Sequence, residues 1–538
     1  MINIYDDHMI TIPQQLPDDV DSLKEIISNL TKLTKDYKQE IQYLEEKNNL
    51  LLQKLFGRKS EKQTPEDAMQ GRLFDEAETF SAPCKDEPEE VKEPVIVVSS
   101  HTRKKRGRKP LPESLPRIDV IHDIPEEEKQ CACGCEMKRI GEEVSERLDI
   151  IPQKIQVLRH IRYKYACKNC EGSDSDEPAV KTAPLPPQII PKGIATPGLA
   201  AWVLVSKFCD AIPFYRQEKL FARIGIELSR ATFCNWALLA HKGCSRMLEI
   251  MMDDIISSPF VGMDETTVQV MNEKDRKNTT KSYMWISRGG TTERPVILFR
   301  YNPTRGENFA NSEFKNYEGI IQTDGYAGYN TLGKGKKVTH AGCWAHVRRK
   351  FVEASAHTKD NNSFAHSIIS MIKKLYEVES EIREKKYSDE QILKLRDKKS
   401  RPVVEKIGEL LEKHRHSIAP KSLTGKAITY TIDLWPRLLV YLDNALIPID
   451  NNLVENAIRP FVVGRKNWLF SGSPDGAHAS AAIYSIIETA KGNGLEPYWY
   501  LRYLFEKLPA CKCDDEIRLI MPNTIDPDLI DKFRGGVD

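Results

Sequence analysis

The sequence predicts a multidomain α+β protein. It reads as an N-terminal coiled coil, a small zinc-binding domain, a helix-turn-helix-like helical domain, and an α/β core broken by a helical insertion. Three observations lead there. A heptad of apolar residues runs through residues 23–55, five cysteines crowd residues 131–170, and from residue 259 short β-branched and aromatic runs precede a long charged, helix-periodic stretch. At 538 residues the chain is too long for a single core and implies about three or four structural units.

Residues 1–20 read as a disordered tail and 21–57 as the coiled coil. Leu23, Leu30, Tyr37, Leu44 and Leu51 recur every seven residues, and Ile27, Thr34, Ile41, Asn48 and Leu55 follow four residues after each. Taken as d and a positions they form a seam of period 3.5, with Asn48 as the polar a-position residue that sets register. The alternative is an amphipathic helix packed on its own chain. A seam this persistent, with no second long heptad nearby, favours a homo-oligomer. Residues 58–125 are a charged linker, acidic in "KDEPEEVKEP" and then basic in "HTRKKRGRKP". Arg103, Lys104, Lys105, Arg106, Arg108 and Lys109 flank Gly107 in the manner of an extended arm that enters an A·T-rich minor groove. A solvated linker of the same composition is the competing reading.

The zinc-binding domain is expected over 126–182. Cys167 and Cys170 form a C-x-x-C half-site, while Cys131, Cys133 and Cys135 alternate irregularly, leaving one of the three spare. The start "MINIYDDHMI" is not an export signal, so metal binding is favoured over a disulfide framework and a cytosolic protein is expected. Between the halves, "IQVLRHIRYKYA" alternates as short strands do. Residues 183–256 are helical, with a turn at Gly225 and a second helix opening at Ser229, a helix-turn-helix arrangement or a plain helical hairpin.

The first part of the core covers 257–352, with strand candidates in "PFVGMDETTVQVM", "SYMWISRGG", "RPVILFRYNP" and "GIIQTDGYAGYNTL". "VTHAGCWAHVRRKFVEAS" runs from strand into helix. The helical insertion covers 353–446, a helix and the end of the core 447–496, and a helical tail 497–538. Asp264 and Asp324 each follow an apolar run, so each sits near the end of a buried strand, where an ionised carboxylate is costly unless paired or holding a cation. Glu455, in "IDNNLVENAIRPFVVGRKNWLF", opens a later helix. It reads both as a capping partner of the preceding asparagines and as a third carboxylate of the same site. Three carboxylates around two Mg²⁺ (or Mn²⁺) ions suit in-line displacement at phosphorus. Arg459, Arg465 and Lys466 are candidates for backbone phosphates, as are Arg348 and Arg349, and Pro460 is expected to end or kink the helix.

The chain resembles the insertion sequence 66 family of transposases, DDE-type enzymes with a ribonuclease H-like catalytic core. The resemblance runs from "LLQKLFGRKSEK" and "GRKPLPESLPR" through "RIGEEVSERLDIIP", "MDETTVQV", "QTDGYAGYN" and "CWAHVRRKF". It continues to "DNNLVENAIRPFVVGRKNWLFSGS" and "IETAKGNGLEPYWYL". It implies that Asp264, Asp324 and Glu455 are the catalytic, Mg²⁺-holding triad, with residues 325–454 carrying the insertion. It implies a structural Zn²⁺, DNA ends and target as partners, and accessory transposition proteins. Cys343 and His346 match a Cys-x-x-His motif of related enzymes, read as structural or DNA-positioning. The first cysteine group departs from the family's C-x-x-C.

Bulk charge is uninformative, since 79 basic and 78 acidic side chains leave +1. The apolar run "GLAAWVLV" is far below the roughly 20 residues of a membrane span. Two rival readings remain. One is a DNA-binding regulator without catalysis. The other is a tyrosine recombinase built on His346, Arg349 and the nearest downstream tyrosine, Tyr376.

Overall fold

The computed structural model describes residues 19–56, 155–166, 180–182, 185–332, 337–356 and 363–536. The basic cluster at 103–109 and the cysteines Cys131, Cys133, Cys135, Cys167 and Cys170 lie outside the described residues, as does the linker. The chain divides into two compact units, residues 83–185 and the remainder.

Helix α1 (Val20–Phe56) runs unbroken through the heptad region. Asp19 caps it, its Oδ1 accepting the N–H groups of Asp21 and Ser22 at 3.1 and 2.8 Å. Ile27, Leu30, Tyr37, Ile41 and Leu44 are exposed along it. In the unit at 83–185, β1 (Lys164–Ala166) pairs antiparallel with β2 (Val180–Thr182). The alternating residues 155–163 do not extend this ladder and carry no regular structure. Alternation alone makes no strand without a partner for the backbone.

The larger unit opens with α2 (Pro197–Phe208), α3 (Phe214–Arg223), α4 (Arg230–Gly243) and α5 (Ser245–Ile256). The turn between α3 and α4 uses Gly225 at φ +78°, and Ser229 caps α4 by accepting the N–H of Thr232 at 3.2 Å. Phe214, Phe221, Phe233 and Trp236 pack ring to ring inside this group. They belong to the same hydrophobic core as the sheet that follows.

That sheet has the order β5-β4-β3-β6-β7: β3 (Phe260–Gln269), β4 (Lys281–Gly290), β5 (Pro295–Asn302), β6 (Gly319–Gln322) and β7 (Val338–Ala341). β3, β4 and β5 are antiparallel, whereas β6 and β7 run parallel to β3. A short helix, α6 (Glu307–Glu313), lies in the chain between β5 and β6. The edge strand β5 is closed by α13 (Pro474–Gly492): Ser485 accepts the N–H of Phe299 at 2.8 Å, and Thr489 accepts that of Ile297 at 2.9 Å.

After β7, α7 (Trp344–Ser355) leads into α8 (Phe364–Lys385), α9 (Asp389–Leu395), a π turn at Arg396–Ser400, α10 (Arg401–His414) and α11 (Leu423–Leu439). These helices own a second core that includes Trp344, Phe351, Ile368, Leu375, Ile407 and Leu438. Arg396 pairs in bidentate fashion with Glu379 at 2.8 Å and donates to the carbonyls of Tyr441 and Ile447, tying the insertion to the strap that returns to the sheet. The chain closes with α12 (Asn452–Trp468), α13, α14 (Pro497–Lys507), α15 (Asp514–Leu519) and α16 (Pro527–Gly535).

Two expectations about α12 are corrected. Pro460 does not end the helix, which continues to Trp468 and carries Arg465 and Lys466 in its last turn. The carbonyl that loses its donor is that of Asn456, an exposed residue, so water can satisfy it. Nor is Glu455 a capping partner: the N-cap is Asn451, its side chain makes no cap bond, and the Glu455 carboxylate makes no hydrogen bond. Asn451 instead donates from Nδ2 to the Met263 carbonyl on β3 at 2.9 Å.

This contact needs a close approach of helix to strand, which Gly262 permits. A Cβ there would lie 2.5 Å from Val454 Cγ2 and 2.8 Å from Asn451 Oδ1. Gly262→Ala should therefore lower stability by about 1–3 kcal/mol, an overpacking cost, and shift the urea midpoint accordingly. An unchanged midpoint would show that α12 can retreat freely from β3.

Candidate active site

Strand register brings the two aspartates together. Gly262 of β3 pairs with Gln322 of β6, and Asp264 and Asp324 each follow two residues later, Asp264 in the middle of β3 and Asp324 just past the end of β6. Both are partly buried. Asp264 accepts the N–H of Glu265 at 2.8 Å, and Asp324 accepts that of Tyr326 at 2.9 Å. Burial raises the pKa of both. For Asp264 the charges of Glu265, Asp324 and Glu455 push it further up, well above the usual range. Arg305 and Arg349 partly offset the shift at Asp324.

Glu455 comes from the first turn of α12 and is 1% exposed. Its Oε2 lies 3.6 Å from the Arg349 guanidinium and its Oε1 lies 3.6 Å from His346 Nδ1. Neither oxygen has a hydrogen bond. Burial pushes its pKa up to about 7 despite Arg349, with Asp450 and Asp324 adding to the rise. A buried carboxylate without a hydrogen bond, beside two further desolvated carboxylates, is the donor set a hard divalent cation satisfies. The donor types suit such an ion, while the oxygens of Asp264, Asp324 and Glu455 do not all come within 4.8 Å of one another here.

Sequence reasoning missed two residues of this site. Glu265 is buried behind Asp264, receiving the Tyr329 hydroxyl and a 2.6 Å hydrogen bond from Arg305 Nε. Arg305 also stacks on the Tyr326 ring, 3.5 Å from its centroid. The adjacent acids in "MDET" were the available signal, because neighbouring strand residues face opposite ways and one of them had to find a partner behind the sheet. Nothing in "NPTRGE" marked Arg305.

The other candidates separate. Arg349 faces the carboxylates, while Arg348 is half-buried, with its charge acting on Tyr376. Arg459 and Lys466 are exposed on α12. Arg465 donates to Thr266 Oγ1 at 2.8 Å and to the Thr267 carbonyl, fastening the end of α12 to β3. Cys343, His346 and Glu455 have their ligand atoms within 4.8 Å of one another. His346 and Arg349 thus converge on Glu455 and not on a tyrosine. Tyr376 lies on α8, where burial and the Asp450 charge hold its proton well above the ordinary range.

Residues 192–479, spanning the sheet, all three carboxylates and the insertion, match the transposase IS66 family. The chain belongs to that family. Residues 128–171 match the zinc-finger binding domain of transposase IS66, 43–120 match a segment described as transposase C of IS166 homeodomain, and 485–522 match the IS66 C-terminal element. Two relatives from Sinorhizobium fredii (strain NBRC 101917 / NGR234) carry the names uncharacterized protein y4qI and y4jD. The first is 32% identical over 463 residues, covering 82% of this chain and 83% of its own. The second is 33% identical over 412 residues, covering 74% and 78%. The IS66 assignment implies a divalent metal for the core and zinc for the segment holding the five clustered cysteines. Among the described residues no helix is long and apolar enough to cross a membrane.

A pH dependence follows from Glu455, whose ordinary value of 4.5 is raised to about 7. A carboxyl raised in the folded state contributes stability that is full below its unfolded pKa and is lost as pH rises through the folded one. Unfolding measured in EDTA should show stability falling from about pH 4.5 to 7, with a Glu455 share on the order of 3 kcal/mol. Glu455→Gln should flatten that fall, and identical slopes in the two proteins would contradict the assignment.

Proposed function

We propose that the protein is a DDE-type transposase, a polynucleotidyl transferase that nicks DNA at transposon ends and joins the freed 3′-hydroxyl to target DNA. What supports this most is one arrangement: two register-matched aspartates on parallel strands, with a buried, hydrogen-bond-free glutamate delivered by a helix from beyond the insertion. Asp264, Asp324 and Glu455 are the residues that would hold Mg²⁺ or Mn²⁺. Bound there, divalent ions supply Lewis-acid stabilisation of the attacking and leaving oxygens.

The chain's own side chains complete the site. Arg349 balances Glu455 and Asp324, while Arg305 and Tyr329 neutralise and fix Glu265 behind Asp264. Arg348, Arg459 and Lys466 are the bases proposed to meet DNA phosphates, with Arg465 serving chiefly to fasten α12. The basic residues 103–109 are proposed as a minor-groove arm. Cys167, Cys170 and two of Cys131, Cys133 and Cys135 are proposed as structural zinc ligands. The exposed apolar stripe of α1 is proposed to pair with a second copy of the chain, and the ribonuclease H-like reading of the sheet belongs to the same proposal.

Asp264→Asn and Glu455→Gln should each lower metal-dependent end cleavage and strand transfer by on the order of 10³-fold, leaving end binding in a gel-shift assay unchanged. Retained transfer in either variant would refute the triad. Activity that survives EDTA would favour a metal-independent mechanism.

A further inference from the structure

The register line of the aspartates continues onto β7. Gly262 pairs with Gln322, Gln322 pairs with Ala341, and the residues two positions beyond these are Asp264, Asp324 and Cys343. Cys343, just past the end of β7, is therefore in register with Asp264 within β3 and Asp324 just past β6. That register line offers hard oxygen donors at two positions and a sulfur at the third.

The sulfur is set up as a ligand. Cys343 is the N-cap of α7, and its Sγ accepts the backbone N–H of Asn451 at 3.3 Å. Amide donors and a helix N-terminus both stabilise a thiolate over a thiol. Burial works against them and pushes the thiol pKa up, the balance an adjacent divalent ion would reverse. His346 is three residues on, so it shares a helix face with Cys343. Burial, with Arg349 and Lys350 nearby, disfavours the charged form of the imidazole. Its buried Nδ1 has no hydrogen-bond partner, and neither carboxylate oxygen of Glu455 has one. In the tautomer protonated at Nε2, Nδ1 presents a lone pair toward Oε1 of Glu455, 3.6 Å away.

We propose that Cys343, His346 and Glu455 form a second cation site, for a thiophilic divalent ion of the Zn²⁺ class, beside the hard-cation site of the aspartates. The spacing admits one ion, with His346 Nδ1 and Glu455 Oε1 3.6 Å apart. A tetrahedron with bonds of roughly 2.0–2.3 Å puts its ligand atoms about 3.3–3.8 Å apart, and the three donor atoms here lie within 4.8 Å of one another. Among the described residues no other His, Cys, Asp and Glu group meets that limit. Sulfur and imidazole select zinc over magnesium, which takes oxygen ligands in octahedral geometry. Binding releases the Cys343 proton to solvent as the sulfur–metal bond forms. Thiolate and carboxylate then balance the ion, and Arg349 stays on the far oxygen, Oε2. Three protein ligands leave a fourth position open. Because Glu455 serves both sites, an ion bound at Cys343 withdraws Oε1 from a hard cation. That consequence rests on the catalytic reading, whereas binding itself does not.

The test is cobalt binding to the full-length chain, stripped of metal under reducing conditions and titrated in excess Mg²⁺. Thiolate-to-cobalt charge-transfer bands and tetrahedral d–d bands report the sites. The cysteines at 131–170 also take cobalt, so the readout is the difference between proteins. Cys343→Ser and His346→Gln, each checked for wild-type circular dichroism, should bind one cobalt fewer than wild type. Asp264→Asn should keep the full count, which separates this site from the triad. If either folded variant keeps the wild-type count and spectrum, the site does not exist. If Cys343→Ser fails to fold, the His346→Gln count decides alone.

Discussion

Asn451 and the strap before it hold together three elements that come from distant parts of the chain. Its Nδ2 bonds to the Met263 carbonyl on β3, and its backbone N–H bonds to the sulfur of Cys343 at the mouth of α7. The amide of Gln322, buried at the end of β6, donates to the carbonyls of both Gly342 and Pro448. These bonds satisfy backbone groups that would otherwise be buried without partners, so they fix position as well as contributing energy. Gly262 is the complement: without a Cβ, it lets the helix start lie directly on the strand. Every distance in the carboxylate cluster depends on this junction.

The electrostatics of the cluster follow from how cations are distributed around it. Glu265 has Arg305 and the Tyr329 hydroxyl, and Glu455 has Arg349 within reach of one oxygen. Asp264 has the N–H of Glu265, but the charges that weigh most on it are those of three other acids. It is the group whose ionised form costs most, and the one a divalent ion would stabilise most. Such an arrangement is poor as a purely structural solution, since a buried acid surrounded by acids destabilises the fold at neutral pH.

The helical insertion acts on this site through α7. Trp344 is fully buried and donates its indole N–H to the Leu438 carbonyl of α11, so the insertion's core sets the position of the helix bearing Cys343, His346 and Arg349. The Glu379–Arg396 pair then secures the other side, where Arg396 reaches the carbonyls of Tyr441 and Ile447 in the segment leading up to Asn451. Residues remote from the carboxylates thus set where the cations around Glu455 stand.

The sequence by itself determined the order of elements, because periodicity and caps are local properties. The strands at 260–302, 319–322 and 338–341, the helices after Ser229 and within the insertion, and the place of Asp324 just past a strand could all be read this way, whereas Asp264, expected near a strand end, lies in the middle of β3, which runs on to Gln269 in its pairing with β4. The family motifs singled out Glu455 as well. What the sequence did not determine were contacts set by close approach. Glu455 reads as a cap as well as a carboxylate of the site, but Asp450 satisfies Asn452 and the Glu455 carboxylate lies 3.6 Å from Arg349 and His346 without a hydrogen bond. Pro460 reads as a point where the helix ends or kinks, and the helix runs on through it to Trp468. Arg465 read as a phosphate ligand and is occupied on β3. Only the tertiary structure decided that Cys343 sits in register with the aspartates and that Glu265 needs Arg305. Both depend on which strands become neighbours, a choice made by global packing and not by any local run of residues.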